Sequence, residues 1–153
     1  IRIGLSTVKA FCQPLDIPVV GISTLATLAY RFSHLSSYIA PIIDAGRKQI
    51  YGAAYQVKHS EITIESPEQV LPPSKWLASI PTSQYLFVGD GVQLYEDIIL
   101  SIHPKAQMLI TNNQIIEQLC LVGHSYFRKG QTLKAANLAA NYIRPSDAEL
   151  NTL

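Results

Sequence analysis

This sequence is poor in charge. Only 15% of its 153 residues are Asp, Glu, Lys or Arg, against about 25% in an ordinary soluble domain. A surface so poor in charge often includes a part that does not face water. The 12 basic and 11 acidic residues leave a net charge of +1. No strong field therefore draws the chain to nucleic acid or to an acidic lipid surface. Cysteine is scarce too: Cys12 and Cys120 stand far apart with no CxxC, which reads as two reduced thiols of a cytoplasmic protein in preference to a disulfide. No apolar run approaches the roughly 20 residues of a bilayer-crossing helix. Arg2 and Lys9 interrupt the opening stretch, so it is not a signal peptide. The histidines His34, His59, His103 and His124 form neither HxxxH nor HExxH, and helix-borne zinc is unsupported.

What is present opens on a helical pattern already running. Leu5, Val8, Cys12 and Leu15 recur at spacings of three and four, on one helix face, until Pro14 marks the stop. Ile17 to Ile22 is a short apolar run that reads as a buried strand, and Ser23 is placed to cap a helix running to about Phe32. Tyr38 to Asp44 is the next strand. Its Pro41 predicts an edge position, or a start at Ile42. Ala45 to Gln49 turns the chain, and Ile50 to Val57 returns with Tyr51, Ala53, Tyr55 and Val57 as the core face. Glu61 to Glu65 alternates as a third antiparallel strand. A short helix follows Pro73, and Tyr85 to Val88 is a compact buried strand. One helix is expected over Val92 to Ile102, then a strand over Ala106 to Ile110. Asn112 or Asn113 caps a longer helix to about Lys129, whose Ile115, Ile116, Leu119, Val122 and Phe127 form a stripe for a sheet. Leu133 to Ala140 is a weak helix or loop, and Tyr142 to Glu149 an extended tail. This order predicts an α/β chain with a mixed sheet.

Four features carry possible chemistry. Gly21-Ile-Ser23 resembles half of a nucleophile elbow, but Leu25 stands where its second glycine belongs, so Ser23 reads as an N-cap. Gly89, Asp90 and Gly91, between a strand and a helix, are the candidate nucleotide-binding residues, because glycines let backbone N–H groups approach an anion. The longer GxGxxG spacing and a P-loop Lys-Ser/Thr are both missing. Asp44, at a strand end, reads as a residue that orders its turn. His103, before Pro104, reads as a helix end.

Taken together, RIGLSTVKAF…LDIPVVGISTLATLA, PIIDAGRKQIYGAAYQV, LFVGDG and YIRPSDAE resemble the bacterial TsaB (YeaZ) proteins in order and spacing along almost the whole chain. The resemblance implies an actin-like, sugar-kinase-type (RNase H-like) two-lobe α/β fold. Residues 1–36 would be the remnant of an incomplete first lobe, and residues 37–153 the second lobe. It further implies a non-catalytic subunit in the making of threonylcarbamoyladenosine in tRNAs that read codons beginning with A. The paralogue TsaD would perform the transfer and the ATPase TsaE would join the assembly. Such a subunit has no catalytic residue, metal or cofactor of its own, reaches tRNA only through the complex, and does not touch a membrane. The opening helix, with Ile1, Leu5, Val8, Lys9 and Cys12, would be the partner-binding surface, in a homodimer or against TsaD. A GPGSFTG-like loop, expected just before Ile1, is absent. So are the arginine often found where Gly46 stands and the acidic residues found where Ala26 and Gln49 stand. The chain therefore reads as a fragment of a longer one. Two other readings remain open: a nucleotide-binding phosphotransferase using Gly89 to Gly91, and a metalloprotease of the old glycoprotease label, which the histidine spacing opposes.

Overall fold

The strand with a proline inside it lies at the centre of the sheet. In the computed structural model, which describes residues 1–58, 61–81, 84–112 and 114–143, five strands pair in the order β3-β2-β1-β4-β5. They are β1 (Tyr38–Gly46), β2 (Gln49–Lys58), β3 (Glu61–Leu71), β4 (Leu86–Gly89) and β5 (Gln107–Ile110). The first three form an antiparallel meander, while β4 runs parallel to β1 and β5 parallel to β4. The edge position predicted for Pro41 is corrected: Pro41 pairs with Val88 of β4, and on the β2 side the pairs Ile39–Tyr55 and Ile42–Gly52 flank it. A proline nitrogen has no hydrogen to leave unpaired, so its presence costs the ladder one bond and no buried donor. The proline that does lie in an edge strand is Pro67, within β3.

Both faces of the sheet are covered. On one, Trp76 and Leu77 of α3 (Pro73–Ser79), Val92 of α4 (Gly91–Leu94) and Ile99 of α5 (Glu96–Ile102) pack with Ile42, Ile50 and Phe87. On the other, α2 (Thr24–Arg31) brings Leu25, Leu28 and Ala29 onto Ile39, Tyr55 and Val88. The expectation of one core face on β2 was therefore half the answer. Ile50 and Ala54 are as fully buried as Ala53, because helices lie on each side. The single helix expected over 92–102 breaks at Tyr95 (φ −121°, ψ 21°) into α4 and α5.

The chain packs as two units, residues 23–118 and residues 1–22 together with the chain from 119 onward. Helix α2, read from the sequence with residues 1–36, thus packs with the sheet. The second unit holds α1 (Arg2–Cys12), most of α6 (Ile116–Arg128) and a 3-10 turn at Ala135–Asn137. The strand expected over Ile17 to Ile22 is an extended segment with one bridge, Val19 to Leu133 (2.9 and 2.8 Å). A strand needs a ladder of partners, and among the described residues only Leu133 supplies one. His59, the alternative cap Asn113 and the tail from Arg144 lie outside the described residues. Among those described, no helix is long and apolar enough to cross a membrane.

Two predictions follow from backbone and packing at the β1–β2 hairpin. Gly52 lies under the Trp76 indole, where an added Cβ would sit 2.5 Å from a ring carbon. Gly52→Ala is expected to lose about 1–3 kcal/mol in urea unfolding, by overpacking. The two-residue turn places Arg47 at φ 54° and Lys48 at φ 57°, the left-handed pair of a type I′ turn, which favours Asn-Gly. Arg47→Asn with Lys48→Gly is expected to gain about 1 kcal/mol, read as a rise in thermal midpoint.

Candidate functional site

Helix α1 has two different long faces. It leaves through a left-handed Asp16 (φ 49°), with the Ile17 N–H donating to the Cys12 carbonyl at 2.9 Å. This is a Schellman-type ending, just past the Pro14 that the sequence marks as the stop. Leu5 and Cys12 pack against Val19, Ala135 and Leu138, forming the small core of this unit. Lys9 Nζ donates to the Ala136 carbonyl at 3.1 Å, and Arg2 Nε to the Tyr142 hydroxyl at 2.9 Å. The Arg2 guanidinium also lies over the Tyr142 ring, 5.5 Å from its centroid.

The adjoining stripe is exposed. Ile1 is 89% exposed, Phe11 and Leu15 70% each, and Val8 40%. A Cβ added at the exposed Gly4 would meet nothing within 4 Å. The structure thus parts the five residues proposed from sequence. Ile1 and Val8 face outward, while Leu5, Lys9 and Cys12 are held by the chain's own later segment. Phe11, not among the five, and Leu15, read on one face with Leu5, Val8 and Cys12, share the exposed side. Gly4, Val8 and Phe11 lie at steps of 4 and 3, on one side of the helix, and Leu15 follows four residues on, past its end at Cys12.

The second candidate lies where β1 and β4 end. Gly89 sits at φ 113°, and a Cβ there would strike the Ile42 carbonyl oxygen; at Gly91 it would come 2.6 Å from Ile42 Cγ2. Both glycines permit the close approach of β4 to β1. The Asp90 carboxylate accepts the Asp44 N–H at 3.2 Å. The Asp44 carboxylate accepts the Gly46 N–H and the Tyr95 hydroxyl, each at 3.1 Å, which is the turn-ordering role read for it. These bonds join two strand ends. Among the described residues no group of three His, Cys, Asp or Glu gathers at a metal-binding distance.

Ser23 caps α2, its Oγ accepting the Ala26 N–H at 3.1 Å, and its hydroxyl donates to the Glu68 carboxylate on β3. The cap role read for Ser23 is the one it plays. His103 caps the end of α5, its N–H on the Ile99 carbonyl at 2.7 Å. Its ring nitrogen Nε2 also lies 2.9 Å from the Leu77 carbonyl.

Loss of solvent, then the bond to Asp44, raises the Tyr95 pKa. The folded state therefore favours the neutral phenol. Its contribution is complete below the ordinary value of about 10 and is lost as pH rises through the folded value. Urea unfolding across neutral to alkaline pH is expected to show that loss, and Tyr95→Phe to remove it.

Over residues 1–152 the sequence matches the family described as "TsaD: tRNA N6-adenosine threonylcarbamoyltransferase". It is 28% identical over 154 residues to the tRNA threonylcarbamoyladenosine biosynthesis protein TsaB of Bacillus subtilis (strain 168), spanning 97% of this chain and 66% of that protein. It is 23% identical over 158 residues to the TsaB protein of Escherichia coli (strain K12), spanning 94% of this chain and 64% of that one. The chain thus spans just under two thirds of the length of these curated relatives. Among solved structures it superposes on a Pseudomonas aeruginosa protein described as similar to peptidase YEAZ, with a TM-score of 0.78 at 23% identity, over 94% of this chain and 67% of that one. It superposes likewise on YeaZ from Pseudomonas aeruginosa, with a TM-score of 0.73 at 23% identity, over 93% and 68%. The mixed sheet flanked by helices is the actin-like, RNase H-like α/β fold expected from the sequence.

Proposed function

This chain belongs to the family of the TsaD transferase, and within it to the TsaB (YeaZ) proteins; from that premise we propose that it serves tRNA threonylcarbamoyladenosine biosynthesis as a non-catalytic subunit that binds TsaD. The observation that carries the reading is the likeness to curated TsaB proteins along 94% and 97% of the chain. The exposed apolar stripe of α1 supports it by offering a surface for a partner. A net charge of +1 supplies few of the phosphate contacts that tRNA binding needs, so tRNA is met through the assembled complex, with TsaE joining it in the cytoplasm. The transfer itself falls to TsaD. Nothing about Gly89 to Gly91 favours the phosphotransferase reading, since both glycines are taken up by packing against Ile42.

The test has two parts, both using the full-length protein. In cells depleted of their own TsaB, its expression is expected to restore threonylcarbamoyladenosine, measured by mass spectrometry of digested tRNA. Unrestored nucleoside counts against the role. Val8→Glu, which puts a charge on the outward face, is expected to abolish co-elution with TsaD; unchanged co-elution would sink the interface.

A further inference from the structure

The net charge of +1 is the difference between two unlike units. The sheet unit, residues 23–118, holds six Lys or Arg against eight Asp or Glu, a net of −2. The other, residues 1–22 and 119–153, holds six against three, a net of +3. Two of those three acids, Asp147 and Glu149, lie outside the described residues, so among the described residues of this unit Asp16 is the only acidic side chain.

Three of its cations gather where α6 ends. Arg128 closes the helix and Lys129 follows it. The chain reverses at once through Gly130 (φ 71°), with the Gln131 N–H on the Tyr126 carbonyl at 2.9 Å and the Gly130 N–H on the Phe127 carbonyl at 3.0 Å, a Schellman ending. Leu133 is then held by its bridge to Val19, which sets Lys134 on the same short reversal. Arg128, Lys129 and Lys134 are all exposed. A cation in the last turn of α6 suits the helix dipole, but Lys134 comes after the reversal and owes nothing to it.

We propose that this basic end contacts the phosphodiester backbone of tRNA in the assembled complex, and that it supplies the few phosphate contacts this subunit makes. The proposal rests on the reading of the chain as a subunit that binds TsaD. The same unit carries α1, the surface offered to TsaD, so docking sets these cations beside the subunit that must hold the tRNA. Ammonium and guanidinium groups poor in acidic neighbours attract a polyanion and grip phosphate without reading bases. The acidic balance of the sheet unit turns the same polyanion away, which orients the subunit on the RNA.

The test is tRNA binding by the full-length protein assembled with TsaD and TsaE, read by fluorescence anisotropy across a series of KCl concentrations. Replacing Arg128, Lys129 and Lys134 together by Gln is expected to weaken binding about tenfold or more at low salt. The slope of log affinity against log salt should fall by about two to three. Lys134→Gln alone, at a position whose side chain caps nothing, should lower it by about one. Arg128→Lys with Lys134→Arg keeps the charge and should keep the slope. Lys58, Lys75 and Lys105, exposed on the sheet unit, give the control: their joint replacement by Gln removes as much charge and should leave the slope unchanged. Circular dichroism and co-elution with TsaD check that each variant is folded and assembled. An unchanged slope in a triple variant that still captures TsaD overturns the contact and leaves the proposed role standing. An equal fall in the control overturns it too, because net charge would then account for the effect. Flotation with phosphatidylglycerol vesicles separates the other polyanion: vesicle binding lost in the triple variant, with its tRNA slope unchanged, overturns the contact in favour of a lipid surface. A wild type that never captures TsaD overturns the role, and the contact with it.

Discussion

The approach of β4 to β1 is the constraint on which the rest of the sheet unit depends. Three parallel pairs, from Ile39–Leu86 to Pro41–Val88, bring the strands together. The chain must then leave the sheet directly against the Ile42 carbonyl. Only a residue without a Cβ passes there, and Gly89 at φ 113° is that residue. Past it, Gly91 clears Ile42 again, α4 begins, and Asp90 turns back to accept the Asp44 N–H. Tyr95 then breaks the helix and ties to the same Asp44. A glycine pattern that suggests a phosphate loop in one dimension is, in three, a clearance between two strands.

The opposite face is held by a different device. Helix α2 starts at Ser23, whose hydroxyl accepts a helix N–H and donates to Glu68 on the edge strand β3. One short side chain therefore satisfies an orphan donor and fastens the helix start to the far side of the sheet. Because α2 covers one face and α3 to α5 the other, the strands carry apolar or small residues on both sides.

Helix α1 shows where the missing charge matters. Across Ile1 to Leu15 the only charges are Arg2 and Lys9, and both are engaged by the chain's own later residues, Tyr142 and Ala136. Leu5 and Cys12 close a core of only a few residues. What remains outward includes Ile1, Val8, Phe11 and Leu15, beside the uncharged polar Ser6, Thr7 and Gln13. Such apolar surface is costly to leave in water.

Most of this was legible in the residues. The period of α1, the Ser23 cap, the Ile42–Val57 hairpin, the third strand and the compact strand before Gly89 all follow from patterns that neighbouring residues set among themselves. The family likeness rests on the same local strings. Four things were decided only by contacts between distant segments. Pro41 sits centrally because β4, more than 40 residues away, pairs alongside it. Both faces of β2 are buried because separate helices arrive on each side. Ile17 to Ile22 lacks a ladder because among the described residues only Leu133 meets it. On α1, Leu5, Val8 and Cys12 look alike in sequence, and the segment at Ala135 to Leu138 chooses which of them face inward. Periodicity tells that a helix has an apolar stripe, but not which part of the stripe its own chain will cover, since covering it requires residues that only the tertiary fold brings near.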